Sequence, residues 1–220
     1  MFLVLSDLLP PDALASVREA AAQAKFTDGK ATAGAEARRV KDNTQATAED
    51  PAARIALGLV REALEADGRF RAAARPARMT PLMLSRTEKA MEYGAHIDDA
   101  LMGKGADRIR ADIAFTVFLS APEDYEGGAL VIEEVSAERE IRLPVGSAIL
   151  YPASTLHRVA PVTKGARLAA VGWVQSAVRD PARREILYDL EQAVPKVTDD
   201  TARLKLRKTI SNLLRMWAET

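Results

Sequence analysis

Two histidines occur in the 220 residues, and both stand in settings that suit a metal ion. His96 lies in Tyr93-Gly94-Ala95-His96-Ile97-Asp98. On an extended backbone, positions i and i+2 project to the same side, so the imidazole and the carboxylate can converge on one ion. His157 follows the turn-like Tyr151-Pro152-Ala153-Ser154-Thr155-Leu156, and 157 − 98 = 59 positions of mostly β pattern separate it from Asp98, a distance that a jelly roll can fold back. Two imidazoles and a carboxylate on one side of a metal form a facial triad, which leaves positions open for substrate and dioxygen and is typical of non-haem iron(II) chemistry. A catalytic zinc site with the same ligand types is the competitor.

Arg167 bears on that choice. It stands 167 − 157 = 10 positions after His157, across Pro161-Val162-Thr163-Lys164-Gly165, which reads as a hairpin. With the loop at Thr163–Gly165, residues 162 and 166 oppose, Arg167 faces Pro161 and His157 faces Val171, so Arg167 and His157 share a face. A two-residue loop at Lys164-Gly165 would break that parity. A guanidinium inside a β core requires an anionic partner, and its planar fork suits a carboxylate. A bound dicarboxylic acid would supply one.

The elements that must position these residues follow from periodicity. Asp12 to Ala24 is helical in pattern after Pro10-Pro11, with Leu14, Val17 and Ala21 at helical spacing. A second alanine-rich stretch, Pro51 to Ala74, places Ile55, Leu59, Leu64 and Phe70 in a helical pattern that Pro76 closes. From about Met79 the period is two. Ile109, Ala111, Ile113, Phe115, Val117 and Leu119 alternate through a strand Ile109–Leu119, and shorter strands are expected at Ala129–Glu133, Glu140–Leu143, Ser147–Tyr151, Arg158–Val162 and Arg167–Gln175. Many short strands punctuated by glycine and proline indicate a sandwich or barrel within an α+β chain. After Arg179 the pattern is helical again, and Leu206, Ile210, Leu213, Leu214 and Trp217 form a stripe expected to pack on the β core, a homo-oligomer seam being the alternative. The expected organisation is a mainly helical part over residues 1–77, a β core over 78–178 and C-terminal helices over 179–220.

Lys+Arg and Asp+Glu both number 31, so no net field marks a partner such as a nucleic acid or an anionic membrane. A small molecule or a peptide is the expected partner. Cysteine is absent, which removes disulfides and thiolate chemistry and fits a reducing, cytoplasmic setting. The apolar run Phe2–Leu5 is too short for a signal sequence or a membrane span.

Taken together, His96-x-Asp98, Tyr125-Glu-Gly-Gly-Ala-Leu-Val-Ile132, Leu150-Tyr-Pro152, Leu156-His-Arg-Val159 and Pro161-Val-Thr-Lys-Gly-Ala-Arg167 closely resemble the bacterial PKHD-type hydroxylases, relatives of the prolyl 4-hydroxylase catalytic domain. The resemblance runs from Phe26-Thr-Asp-Gly29 and Lys41-Asp-Asn-Thr-Gln45 through Val174–Asp180. It implies a double-stranded β-helix (jelly-roll) core with flanking helices, together with dependence on Fe(II), 2-oxoglutarate, dioxygen and L-ascorbate. Carried over by position, the iron ligands fall on His96, Asp98 and His157 and the 2-oxoglutarate arginine on Arg167. Asp98 fills the place a halide would need, so hydroxylation with release of succinate and CO2 is the expected reaction. A non-catalytic iron or 2-oxoglutarate sensor and a metal-stabilised binding module are the rival readings. Lys41 and Asn43 are candidates to line the substrate channel, with an exposed polar loop as the plain reading. One departure stands out: where relatives carry Arg-Tyr and then a Gly-Met step, this chain reads Arg86-Thr87-Glu88-Lys89-Ala90-Met91. That bears on pocket shape and substrate choice more than on the metal.

Overall fold

A computed structural model describes residues 1–219. The first third runs β1 (Leu3–Leu5), α1 (Pro11–Ala22), β2 (Thr27–Asp28), α2 (Ala35–Arg39), β3 (Lys41–Asp42), β4 (Thr44–Thr47), α3 (Pro51–Ala66) and α4 (Gly68–Ala74). Then come β5 (Pro76–Met79), β6 (Met83–Glu88), β7 (Glu92–His96), β8 (Leu101–Met102), β9 (Ile109–Arg110), β10 (Ile113–Phe118), β11 (Tyr125–Gly127) and β12 (Leu130–Glu133). The chain continues through β13 (Glu138–Ile141), β14 (Ala148–Pro152), β15 (His157–Val159) and β16 (Val162–Ser176), and ends in α5 (Pro181–Ala193) and α6 (Asp200–Trp217).

Two antiparallel sheets face each other. The larger is ordered β1-β14-β10-β16-β6-β4-β2, with β11 and β5 also paired to β16, and the smaller is β13-β12-β15-β7-β3. This is the double-stranded β-helix, and it carries helices on one outer face. Strands β2 and β4 of the first third extend the larger sheet, and β3 closes the edge of the smaller one.

The layering explains why β10 is buried at every position. Ile113, Phe115 and Val117 join the core under the helices, while Ala114 and Phe118 belong to the cluster inside the jelly roll. Phe70 of α4 meets Phe115 edge-on at 6.1 Å between ring centroids, locking helix to sheet. The alternating run read as one strand over Ile109–Leu119 is two. Asp112 breaks it, because its carboxylate accepts from Arg110 Nε at 2.7 Å and from the Ser176 backbone N–H at 2.9 Å, and Ala111 N–H turns to Ala100.

The helical stretch 51–74 is also two elements. Asp50 caps α3, accepting from Ala53 N–H at 2.9 Å with Pro51 at the first position, and Asp67 starts α4 by accepting from Arg69 and Phe70 N–H. The face that α3 buries is Ala53, Ala56, Leu57, Val60 and Leu64, whereas Ile55 is 61% exposed. Small alanines let the helix lie close to the sheet, a preference that residue size alone does not disclose. The α6 stripe does not reach the β core. Ile210, Leu206, Leu213, Leu214 and Trp217 pack with Leu187, Leu190 and Val194 in a separate cluster built largely with α5. Among the described residues no helix is long and apolar enough to cross a membrane.

No hairpin forms at Thr163–Gly165. The chain leaves the smaller sheet after Val159, crosses at Ala160-Pro161 and enters β16 in the larger one, where Val162 to Gly165 pair with β11. Pro161 and a left-handed Gly165 (φ 72°) bend the chain without reversing it. Beyond this bend β16 runs between β10 and β6, with Arg167 opposite Thr87. Any Cβ at Gly165 would stand 2.1 Å from the Asp124 carbonyl oxygen, besides taking up the left-handed strain. Gly165→Ala is therefore expected to lower stability by about 1–3 kcal/mol in denaturant unfolding and, by shifting Arg167 two residues on, to weaken carboxylate binding. Parental stability in this variant would show that the bend tolerates a side chain.

Candidate active site

Each half of the site comes from a different sheet. On the smaller sheet, β15 and β7 pair with His157 opposite His96, and β15 also sets His157 opposite Ile132 of β12. Asp98 lies two residues beyond His96, past the end of β7, and the alternation persists there: the His96 and Asp98 side chains are buried while Ile97 between them is 54% exposed. One ligand atom from each of His96, Asp98 and His157 lies within 4.8 Å of the others. His157 Nε2 is 3.9 Å from an Asp98 oxygen.

Second contacts prepare the imidazoles for a cation. His96 Nδ1 donates to the Gly94 carbonyl at 2.8 Å and His157 Nδ1 donates to the Thr155 carbonyl at 2.9 Å, since a carbonyl can only accept. Each ring thus keeps its proton on Nδ1 and presents an Nε2 lone pair. Burial, aided by the neighbouring His157 and Lys41, pushes His96 down to about 4, so it stays neutral at physiological pH. Burial acts oppositely on Asp98 and holds its carboxyl above the ordinary carboxylate range, against the pull of His157. One Asp98 oxygen is buried without a hydrogen-bond partner among the described residues. Two bare imidazole nitrogens and a carboxylate short of partners fit a divalent cation of the iron or zinc kind.

Arg167 faces this group from the larger sheet. It is the largest fully buried side chain, its guanidinium lies 5.3 Å from the centre of the Phe118 ring, and no carboxylate of the described residues pairs with it. Burial lowers its pKa, while the nearby Tyr125 and Tyr151 hydroxyls favour the charge. Its Nε, the Tyr125 hydroxyl and the hydroxyl of Thr87 directly across the ladder are all buried without partners. Three polar groups so placed make a pocket for a small anion with several acceptor oxygens.

Both halves open into one cavity of about 1120 Å³. Several of its groups were not assigned roles by sequence. Tyr93 stacks on His96 at 3.6 Å, although three residues apart on a regular strand would put them on opposite faces; a register shift in the β15 and β7 pairing, through Gly94, brings the rings together. Trp173 Nε1, buried and unpartnered, lies where it weakly favours the Asp98 carboxylate. Lys41 and Asn43, read from sequence as candidates for the channel lining or else an exposed polar loop, are buried along the cavity wall, and the unassigned Gln45 lies there with them. Burial takes the Lys41 amine down to about 8, which leaves it charged at neutral pH.

A family model described as the 2OG-Fe(II) oxygenase superfamily matches residues 82–175. A PKHD-type hydroxylase of Synechococcus elongatus is 48% identical over the full length of both chains. Among solved structures, a Pseudomonas putida prolyl-4-hydroxylase superposes with a TM-score of 0.55 at 16% identity over 80% of this chain and 92% of that one. A Trichoplax adhaerens prolyl hydroxylase, solved with a hypoxia-inducible-factor peptide, gives 0.57 at 16% identity over 84% of this chain and 86% of that one.

The His96 shift has a consequence for stability. A histidine near 4 when folded and near 6.5 when unfolded binds fewer protons in the native state, so its contribution is complete above pH 6.5 and is lost as pH falls toward 4. Asp98 acts in the opposite sense, so the informative quantity is a difference. Metal-free His96→Gln should show a smaller loss of unfolding free energy than the parent between pH 6.5 and 4 in urea titrations. Identical pH slopes would mean that His96 is not held neutral by the fold.

Proposed function

Because the chain belongs to the PKHD-type hydroxylases of the 2OG-Fe(II) oxygenase superfamily, and is thus a dioxygenase, we propose that His96, Asp98 and His157 hold its Fe(II) and that Arg167 anchors 2-oxoglutarate. The observation that carries this reading is the convergence of His96 and His157 of the smaller sheet with Asp98 just past β7, on a cavity that a buried arginine of the larger sheet also lines. When bound, Fe(II) and 2-oxoglutarate supply the coupling of oxidative decarboxylation, giving succinate and CO2, to insertion of one oxygen atom into a substrate C–H bond.

The protein's own residues perform the rest. The Gly94 and Thr155 carbonyls keep both imidazoles in the tautomer that binds metal. The Arg167 fork donates to the distal carboxylate of 2-oxoglutarate, and the Tyr125 and Thr87 hydroxyls flank it as further hydrogen-bonding groups. Thr87 leaves more room at this end of the pocket than a tyrosine would. Leu130 on the cavity wall and the Phe118 ring against the Arg167 guanidinium keep water from the co-substrate. Ascorbate is proposed as the reductant that keeps the iron ferrous between turnovers, and a cytoplasmic setting fits the cysteine-free sequence. The substrate is a small molecule or a peptide.

Two sets of variants test the assignments. His96→Ala, His157→Ala and Asp98→Ala should each lose most Fe(II) binding in anaerobic titration and all succinate formation; any one that titrates like the parent is not a ligand. Losing one partner of a buried charge pair costs roughly 3–5 kcal/mol, so Arg167→Ala should raise the 2-oxoglutarate requirement by about two orders of magnitude or more while iron binding is kept. The 2-oxoglutarate-to-iron charge-transfer absorbance reads this directly. An Arg167→Ala protein that saturates at parental 2-oxoglutarate would place the anchor elsewhere.

A further inference from the structure

Lys41 of β3 in the smaller sheet and Gln45 of β4 in the larger one stand on the wall of the cavity that also holds the triad, and both are buried. Their head groups converge on one hydroxyl. Lys41 Nζ donates to Thr32 Oγ1 at 3.2 Å, and Thr32 Oγ1 in turn hydrogen-bonds Gln45 Oε1. With its oxygen so engaged, Gln45 turns its amide N–H groups away from Thr32, and these make no hydrogen bond to the described residues. Lys41 keeps two further N–H groups, sits 5.0 Å from the centre of the Tyr93 ring and has no carboxylate of the described residues within ion-pair distance. Asn43 between them is different, since its amide donates to Ser85 Oγ at 2.9 Å and ties the link between β3 and β4 to β6.

A buried ammonium is costly without a counter-charge. The carboxylates whose fields reach Lys41 are Asp98 and Asp28. A divalent cation held by Asp98 would cancel the larger of these, so a metal-loaded site needs an anion beside Lys41 more than a metal-free one does. The free ends of Lys41 and Gln45 are all donors, which rejects cations and favours a group with two or more acceptor oxygens. Arg167, two strands from Gln45 in the larger sheet with Thr87 of β6 directly beside it, is a separate anion pocket.

We propose that Lys41 and Gln45 form a second anion subsite that binds a carboxylate of the oxidised substrate, so that the enzyme acts on a carboxylate-bearing compound held by its acid group while a C–H bond faces the metal. This rests on the oxygenase reading of the same cavity. It assigns the two buried anion-binding groups to two different molecules, Arg167 to the co-substrate and Lys41 with Gln45 to the substrate.

The test uses the full chain loaded anaerobically with Fe(II) and 2-oxoglutarate. N-acetyl amino acids are titrated by calorimetry, each beside its neutral primary carboxamide, while the 2-oxoglutarate-to-iron absorbance reports loading. At least one acid should bind tenfold or more tightly than its own carboxamide. Lys41→Met and Gln45→Leu, each checked for parental thermal unfolding, should both abolish that preference with 2-oxoglutarate loading within about threefold of the parent. Acids and carboxamides binding alike, no acid binding at all, or both folded variants retaining the preference would overturn the proposal. So would a Lys41→Met protein that loses 2-oxoglutarate loading, since Lys41 would then serve the co-substrate. A parent that lacks the absorbance yet binds acids through Lys41 would keep the subsite and sink the oxygenase reading instead.

Discussion

The antiparallel register between β15 and β7 fixes the rest of the site, because it sets His157 directly across from His96. Side chains alternate along a strand, so a slip of one residue would turn one imidazole outward and leave the other without its partner. Asp98 depends on the same register, since it continues the alternation of β7 for two residues past the strand's end. The other pairings act as supports. β12 holds β15 from one side and β3 holds β7 from the other, so neither histidine strand lies at an edge of the smaller sheet. Gly94 lets β3 lie close, because a Cβ there would come within 2.8 Å of Val40.

Across the cavity the constraint is electrostatic. Arg167, Asp98 and Lys41 are each removed from water, and each has its pKa moved by that burial toward the uncharged form. Such groups oppose folding, and the opposing free energy comes from the apolar layer between the helices and the larger sheet, where Val17, Val60, Leu64, Phe70, Leu84 and Val117 are wholly buried. The molecule therefore divides its labour by face. The outer side of the larger sheet is apolar and gives stability, while its inner side carries Arg167 and shares the cavity with the smaller sheet. A site whose charges are fixed in a dry pocket binds a complementary charge with little reorganisation, which is what an enzyme handling anionic molecules beside a metal requires.

The bend at Pro161 and Gly165 joins the two halves. It carries the chain from the sheet that bears His157 to the sheet that bears Arg167 within 167 − 157 = 10 residues. The distance between the His96, Asp98 and His157 group and Arg167 is therefore set by the gap between the sheets and not by a flexible connection. Such positioning suits the proposed co-substrate, which would touch both at once.

The sequence by itself determined the types of residue and their local faces. Two histidines, the His96-x-Asp98 spacing, the lone arginine after a turn, the helix starts at Pro11 and Pro51 and the period-two runs all express short-range rules of backbone geometry and capping. Those rules gave the triad candidates and a β core flanked by helices. They could not say which sheet a strand joins. Arg167 and His157 face one cavity because two sheets confront each other, and the hairpin parity that put them on one face describes a turn that does not form. Ile55 looked like a core residue by hydrophobicity, yet the sheet accepts the smaller Ala53 and Ala56 face of its helix. The stacking of Tyr93 on His96, the meeting of Lys41 and Gln45 at Thr32, and the place of Thr87 opposite Arg167 were likewise decided only by tertiary structure. The reason is physical: alternation tells a strand's two faces apart, but what each face meets depends on register, bulges and sheet order, and these are settled by contacts between residues far apart in the chain.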